Sequence, residues 1–297
     1  MNLIALLLAL IIERLTTHWL HLREPHWFDS FFDWVLRHFG NLRGARVVWI
    51  VLVFTLLPVV PVAAVALVFD EWLSGLVYVS FAAIVLVFSL GPRDLKEETD
   101  DYCAALARGD VDAAAGYARA ITEHDARQRM SVAPHSVERA IFVQANNRIF
   151  GVAFWFIVGG PAAAWLFRVS DLMRRHAVME HRDLFEHETR GLDLAHALQG
   201  LHAVLAWVPA RLLALGYALA GSFDGAFTSW RALVNERLGF FENNDAILMH
   251  VGQGALGMQA TQGSALERCR ATLQLIWQSL LIWLVIVSLL VLFGRIV

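Results

Sequence analysis

Residues 144–171 read QANNRIFGVAFWFIVGGPAAAWLFRVSD, a polar stretch followed by an apolar run with a break near its middle. The apolar part, Phe150–Val169, is long enough to cross a hydrocarbon core of about 30 Å at about 1.5 Å per helical residue. Inside it, Gly159, Gly160 and Pro161 remove side chains and one backbone donor. Because broken backbone at membrane depth persists only inside protein or beside water, the stretch predicts a broken or re-entrant membrane helix whose break faces other helices.

Polar residues stand at both ends of this run. The segment Gln144–Arg148, here named the polar entrance, precedes it, Arg168 lies at its far end and Asp171 follows it. Polar and ionisable side chains beside a broken span are typical of ligand or ion sites. The polar entrance, with its Asn146 and Asn147, is therefore predicted to bind a ligand together with Arg168 and Asp171.

The composition is that of a polytopic membrane protein. Of 297 residues, 58% are hydrophobic and only 17% are charged, and the mean hydropathy is +0.53. The net charge of -3 and the scattered arginines exclude a basic nucleic-acid-binding surface, so the expected partner is membrane lipid and no nucleic acid. Cys103 and Cys269 are predicted to be small buried free thiols in a reducing cytoplasm, with a disulfide as the alternative.

Further apolar runs set the number of spans. Val47–Phe69 and Leu73–Leu90 are separated by a short acidic turn and predict a hairpin whose first arm is kinked at Pro58 and Pro61. By the positive-inside rule this turn lies outside. Three further runs are candidate spans: Met1–Ile12, Leu201–Gly221 and Ala271–Ile296. Together with the two arms of the hairpin and the broken run, they give four spans and up to six.

The part of the chain that looks most soluble is Arg93–Arg148. Asp94 is expected to cap an alanine-rich helix that stops at Gly109, and Asp110 to cap the next helix. A third helix is expected from Ser136. The predicted fold class is therefore all-α, a polytopic membrane helical bundle with broken or re-entrant helices and a small cytoplasmic helical module.

The sequence predicts that the chain is organised in three ranges. Residues 1–92 form an N-terminal membrane unit with an interfacial helix at 26–40 and the hairpin. Residues 93–149 form the cytoplasmic module, and residues 150–297 form a C-terminal membrane unit with the broken helix, a polar helical loop and the final span. Residues 171–270 begin outside if the broken run crosses fully, and stay cytoplasmic if it dips and returns.

Two polar stretches follow the broken run. On one helical face stand His176, Glu180, Asp183 and His187, which are metal-ligand types at helical spacing but equally suit a water-exposed helix. Further on, GQGALGMQATQG at 252–263 reads as a loop because of its glycines.

The run Leu201–Gly221 is interrupted by Pro209 and Arg211. An arginine at membrane depth indicates a binding site, whereas an in-plane helix would place Arg211 among lipid headgroups. The sequence leaves both interpretations open.

Taken in order, these motifs resemble the AmpE family of inner-membrane proteins, within the wider CobD/CbiB superfamily of cobalamin synthesis. The likeness rests on Arg93-Asp94-Leu95 after the hairpin, LARGDVDAAAGYAR at 106–119, Gly159-Gly160-Pro161 with Phe167-Arg168, and Val208-Pro209-Ala210-Arg211-Leu212. The resemblance implies a multi-pass regulator or sensor of the cell inner membrane, linked to β-lactamase induction and cell-wall recycling signalling and functionally to AmpD.

The resemblance also bears on chemistry. The cobinamide-coupling enzymes of the superfamily carry acids before the Gly-Gly span and before the Pro-Ala-Arg run; here Gln144, Ala145 and Arg148 take the first positions and Leu201 or His202 the second. An ATP-dependent amide synthase needs carboxylates to hold magnesium and to move protons. Their replacement predicts no catalytic residue, no cofactor and a non-catalytic pocket for a small molecule, a cell-wall fragment or a nucleotide.

The candidate pocket draws on both ends of the broken run and on neighbouring helices. Its residues are Arg93, Asp94, Glu138, Gln144, Asn146, Asn147, Arg148, Arg168, Asp171, Pro209 and Arg211.

Two alternatives to the regulator are a membrane enzyme of the cobinamide amide synthase type acting on another substrate, and a small-ligand transporter through the broken span. Assembly into a homo-oligomer is a further expectation.

Overall fold

The computed structural model describes residues 26–39, 42, 44–72, 75–90, 95–123, 134–184, 192–234, 240–261 and 263–293. The chain is 94% helical and contains no β-strand across these ranges, which confirms the all-α prediction. The predicted Met1–Ile12 span and the predicted cap Asp94 lie outside the described residues.

Helices and short turns make up the described chain. The helices are α1 (His26–Phe39), α2 (Ala45–Leu56), α3 (Val59–Trp72), α4 (Gly75–Leu90), α5 (Leu95–Arg108), α6 (Val111–Ile121), α7 (Pro134–Ala145), α8 (Gly151–Leu184), α9 (Leu192–Ala220), α10 (Phe223–Val234), α11 (Phe240–Thr261) and α12 (Ala265–Leu292). One π-helical turn, Asn146–Phe150, joins α7 to α8. As predicted, α5 stops at Gly109, whose φ is +70°, and Asp110 caps α6 by accepting from the Ala113 amide at 3.0 Å.

Several of these helices are membrane spans. Four helical stretches, or five if the bent pair α2 and α3 counts as one span, are long and apolar enough to cross a membrane. The axes of α2 and α3 differ by 47°, which matches the kink predicted at Pro58. The protein is therefore a multi-pass membrane protein.

The described residues fall into two compact units. One takes them from Met1–Pro92 and Gly151–Leu205, and the other from Arg93–Phe150 and Ala206–Ile296. Helix α9 thus belongs to the first unit through Leu205 and to the second from Ala206. The three ranges predicted from the sequence stay predictions.

In the first unit, α8 is broken where the sequence predicts it. Gly160 has φ +70° and ψ -164°, a backbone conformation that residues other than glycine rarely adopt, and Pro161 follows it. Gly160 and Pro161 are buried, and the Tyr78 hydroxyl lies 3.6 Å from where a Gly160 Cβ would stand. The break faces protein at these two residues as expected, whereas Gly159 is exposed.

The core of the first unit includes one face of α1. Phe32 and Val35 are buried in a cluster with Val51 of α2 and Met173 of α8. This face of α1 therefore packs on protein, because α2 and α8 offer it an apolar surface, and the interfacial position of the helix stays a prediction. Trp34 remains exposed on the other side of the helix.

The second unit has its own core, built from α5–α7, the later part of α9 and α10–α12. Tyr217 of α9 is fully buried and donates its hydroxyl proton to the carbonyl of Phe142 in α7, at 3.1 Å. The two rings pack edge to face with centroids 5.0 Å apart. Cys103 and Cys269 lie in this core as buried free thiols, as predicted.

The loop predicted at 252–263 is wrong, because residues up to Thr261 belong to α11. A Cβ on Gly252 would come within 2.7 Å of the Phe142 ring, and one on Gly254 would overlap with the carbonyl oxygen of Gly225 in α10. These glycines therefore serve close helix packing and not chain flexibility. Only Gly257, with φ +74°, interrupts the helix within its described part.

Substitution at this contact is expected to separate α10 from α11. Gly254→Ala should lower the free energy of unfolding by about 1–3 kcal/mol, because overpacked backbones must shift. Gly116→Ala in α6 is the matched control: its new methyl meets nothing within 4 Å, and better helix propensity should raise stability by about 0.5–1 kcal/mol. Reversible unfolding in mixed detergent micelles measures both, and changes of the same sign would contradict the packing role.

Candidate functional site

The polar entrance folds as the last turn of α7 and the π-helical turn that follows. Gln144, Asn146, Asn147 and Arg148 are all buried, although each carries a polar or charged head group. A π-helical turn widens the backbone spiral by one residue, and such turns recur at functional sites. The sequence thus places four polar side chains inside the second unit, where each needs a partner.

Arg148 is the centre of a buried hydrogen-bond network. Its Nη1 donates to Glu98 Oε2 of α5 at 2.6 Å, and its Nε donates to Gln144 Oε1 at 3.0 Å. Gln144 Nε2 in turn donates to Glu123 Oε1 at 2.6 Å. Charge-assisted bonds of this length are strong in a water-poor interior, so the network fixes the positions of α5 and α7 relative to each other.

Asn146 contributes an acceptor that the described residues leave unmatched. Its Nδ2 donates to Asn147 Oδ1 at 3.2 Å, but its buried Oδ1 accepts no hydrogen bond from any of them. A buried acceptor without a donor is costly and usually binds an ordered water or a ligand. The position suits a small molecule that offers an N–H or O–H group.

The first unit carries a second buried cluster, centred on Asp171 of α8. Asp171 has no exposed surface; its Oδ2 accepts from Arg168 Nη1 at 3.2 Å and its Oδ1 from Arg174 Nη2 at 2.8 Å. His202 of α9 places Nε2 4.0 Å from Asp171 Oδ1, and its Nδ1 lies 3.1 Å from the Ser170 hydroxyl. One carboxylate therefore holds two arginines and lies beside an imidazole at the exit of the broken helix.

Arg211 lies on α9 and is half-buried. Its Nη1 donates to the Trp207 carbonyl and to Asn244 Oδ1 of α11, both at 2.9 Å. The guanidinium carbon lies 4.1 Å from the centre of the Trp207 ring, a cation–π contact. Arg211 is therefore held by protein groups on two helices, and both the binding-site and the headgroup interpretation stay predictions.

Pro209 lies inside α9 and leaves the carbonyl of Leu205 without its helical donor. Trp155 of α8 replaces that donor, because its indole Nε1 donates to Leu205 O at 3.0 Å. The proline is therefore accommodated by a specific partner from a neighbouring helix.

Removing that donor has a measurable consequence. Trp155→Phe should lower the free energy of unfolding by about 1–3 kcal/mol, because the Leu205 carbonyl loses its partner. In a Pro209→Ala background, where the helix supplies its own amide, the same substitution should cost clearly less. A double-mutant cycle in mixed micelles measures the difference, and an unchanged cost in both backgrounds would contradict this account.

Glu138, another residue of the candidate pocket, is engaged in helix packing. Its Oε1 accepts from Arg268 Nε of α12 at 2.7 Å, and His135 Nδ1 lies 3.6 Å from its Oε2. Arg268 also donates to the Gly263 carbonyl at 2.7 Å. This buried ion pair ties the start of α12 to α7.

Comparison with known proteins shows the family to which the chain belongs. The profile of the family described as "Regulatory signalling modulator protein AmpE" matches residues 1–297. The chain belongs to the AmpE family. Two curated proteins named "Cobalamin biosynthesis protein CobD" are similar in sequence, which supports the relationship to the CobD/CbiB superfamily.

The similarity to these two relatives is distant. The one from Chromobacterium violaceum is 29% identical over 182 residues, which cover 61% of this chain and 55% of that protein. The one from Stutzerimonas stutzeri is 28% identical over 226 residues, which cover 69% and 71% of the two chains. The chain thus spans about half the length of the first relative. No solved structure matches it.

The residues predicted for the pocket of this AmpE-family chain divide between the two units. Glu138, Gln144, Asn146, Asn147, Arg148, Pro209 and Arg211 are in the second unit, whereas Arg168 and Asp171 are in the first. Arg93 and Asp94 lie outside the described residues. That all eleven line one pocket stays a prediction.

The predicted metal ligands are mostly outside the described side chains. His176 is described, and its Nε2 lies 2.9 Å from Asp33 Oδ1 of α1. The side chains of Glu180 and Asp183, and the whole of His187, fall among residues that the structure does not describe. Within the described part, no three His, Cys, Asp or Glu side chains form a metal-sized group, and the metal site stays a prediction.

Sequence reasoning missed the partners of the predicted residues. Glu98 lies in the part of the chain that looks most soluble, although it follows Leu95 by three residues and precedes Tyr102 by four, on the buried stripe of α5. His202 likewise follows the buried Leu198 by four residues. An ionisable residue on the apolar stripe of a helix is the signal that would have found both.

Proposed function

We propose that this AmpE-family chain is a regulator in the inner membrane that modulates β-lactamase induction and does not synthesise amides. The proposal rests on the family to which the chain belongs, whose members are described as regulatory signalling modulators. The resemblance adds the link to AmpD and to cell-wall recycling. What the structure contributes is the chemistry of the polar entrance.

The observation that carries the proposal is the Arg148–Glu98 contact of 2.6 Å inside the second unit. A magnesium ion at this turn would have to lie beside a guanidinium group and compete with it for the carboxylate. The Glu123 carboxylate is engaged as well, through Gln144. The Arg148 guanidinium thus stands at the polar entrance in place of a magnesium ion. This arrangement supports a structural or ligand-sensing role rather than amide synthesis.

A sensor also needs a place for its ligand. Asn146 Oδ1 supplies a buried acceptor without a donor among the described residues, at the first residue of the π-helical turn. Cell-wall fragments and nucleotides both carry amide or amino N–H groups that match it. The ligand class we propose is therefore a small polar molecule that donates a hydrogen bond to Asn146.

Complementation tests the regulatory role. In a host that carries an inducible β-lactamase and lacks its own copy of this gene, wild-type protein should restore the response to a β-lactam, and Asn146→Ala should fail at normal membrane abundance. Asp112→Ala, on the exposed face of α6, is the matched control and should restore the response fully. Equal induction with and without the wild-type protein would overturn the proposal.

A further inference from the structure

One face of α12 is exposed along most of the helix. It contains Gln274, Gln278, Leu281, Val285 and Leu292, here named the α12 seam, and all five are exposed. The first four follow one another at intervals of four, three and four residues, and the next step of seven to Leu292 passes the small residue Ser288. This is the 3.5-residue period of a helix that packs along a second helix in a left-handed pair.

The depth of the seam makes its two glutamines unusual. Residues 271–292 of α12 carry no charged side chain and rise about 33 Å, enough to cross the hydrocarbon core. Gln278 stands eight residues beyond Arg270, about 12 Å along the axis. A carboxamide at this depth needs hydrogen-bond partners, because lipid tails offer none.

The described part of the chain does not supply those partners. Neither Gln274 nor Gln278 makes a hydrogen bond to any described residue, and both point out of the second unit. Their neighbours on the inner side of the helix are different, since Ser279 is buried and donates to the Leu275 carbonyl at 2.7 Å. The two carboxamides of α12 therefore both lie on the seam, where another molecule can bond them.

We propose that the α12 seam binds a second copy of this chain. A carboxamide carries both a donor and an acceptor, so it is complementary to itself across a twofold axis. Gln278 of one copy then bonds Gln278 of the other, and Leu281 and Val285 fill the apolar part of the seam. Polar residues at single positions of such a seam fix register and partner number, which favours a defined dimer over loose association.

Crosslinking in native membranes tests the proposal. Leu281→Cys, treated with copper phenanthroline and air, should give a disulfide-linked dimer as the main product. Val204→Cys on α9 is the matched control, because Val204 and Leu281 are both 58% exposed, and it should stay monomeric. The wild-type protein controls for Cys103 and Cys269. A crosslink from position 281 to a cysteine placed within residues 2–22 of the same chain would show that the N-terminal segment covers the seam, and would overturn the proposal.

Energy transfer between labelled copies in lipid vesicles gives the second readout. Gln278→Leu should weaken association about 3- to 20-fold, as expected for one interhelical hydrogen bond in a bilayer. Gln278→Asn keeps the carboxamide and should weaken it less. Transfer no higher than that of two unrelated membrane proteins, or an equal affinity for wild type and Gln278→Leu, would rule out the dimer as described.

Discussion

Replacing Arg148 with alanine is expected to lower the free energy of unfolding by about 3–5 kcal/mol. The substitution leaves the Glu98 carboxylate buried without the guanidinium that lies 2.6 Å from it. It also removes the donor to Gln144 Oε1. Equilibrium unfolding in mixed detergent micelles, followed by tryptophan fluorescence, measures the change.

An exposed ion pair in the same unit provides the control. Lys96 and Asp100 approach to 2.7 Å, nearly the distance of the Arg148–Glu98 pair, but both side chains are 53% exposed. Lys96→Ala should therefore cost less than about 1 kcal/mol. The double variant Arg148→Leu with Glu98→Leu should recover most of the loss, because it removes both charges of the pair and leaves neither of them buried alone. A loss for Arg148→Ala as small as that for Lys96→Ala would contradict the buried network.

Replacing Asp171 with alanine is expected to have an effect of at least the same size in the first unit. The Asp171 carboxylate accepts from both Arg168 and Arg174, and Arg168 is itself 2% exposed. Without it, positive charge stays buried beside His202, at a cost of about 3–5 kcal/mol. A loss of this size approaches the total stability of many proteins, so the variant should reach the membrane at a fraction of wild-type abundance.

Two further substitutions test whether the charge of Asp171 is needed. The first is at the cluster itself, and the second is a partly exposed control. Asp171→Asn keeps the volume and loses only the charge, and it should behave nearly as badly as Asp171→Ala. Asp33→Asn removes a carboxylate that is 34% exposed and bonded to His176, and water compensates part of that loss. Quantitative immunoblotting and thermal unfolding rank the three variants. Asp171→Asn at wild-type abundance would show that the carboxylate charge is not needed.

The features that the sequence predicted well depend on local chemistry. The Gly160-Pro161 break needs only a residue that tolerates positive φ and a missing amide, and the Asp110 cap needs only a side chain three residues before an amide. Both follow from neighbours along the chain. Span number likewise follows from composition and length.

The features that the sequence did not predict depend on contacts between distant elements. Gly252 and Gly254 read as a loop because close packing against Phe142 and Gly225 cannot be seen from their neighbours in sequence. The buried position of Glu98 was not predicted, because its partner Arg148 is 50 residues away in sequence. The same limit applied to α1, since nothing in its sequence says whether lipid or protein covers Phe32.

The central proposal is that the polar entrance of this AmpE-family chain does not support amide synthesis. The direct measurement is amide formation by the purified protein on a cobinamide-like substrate, with magnesium and a nucleoside triphosphate. We predict product at the level of the reaction without protein. Amide formation that depends on magnesium and nucleotide and is abolished by Arg211→Ala would contradict the claim.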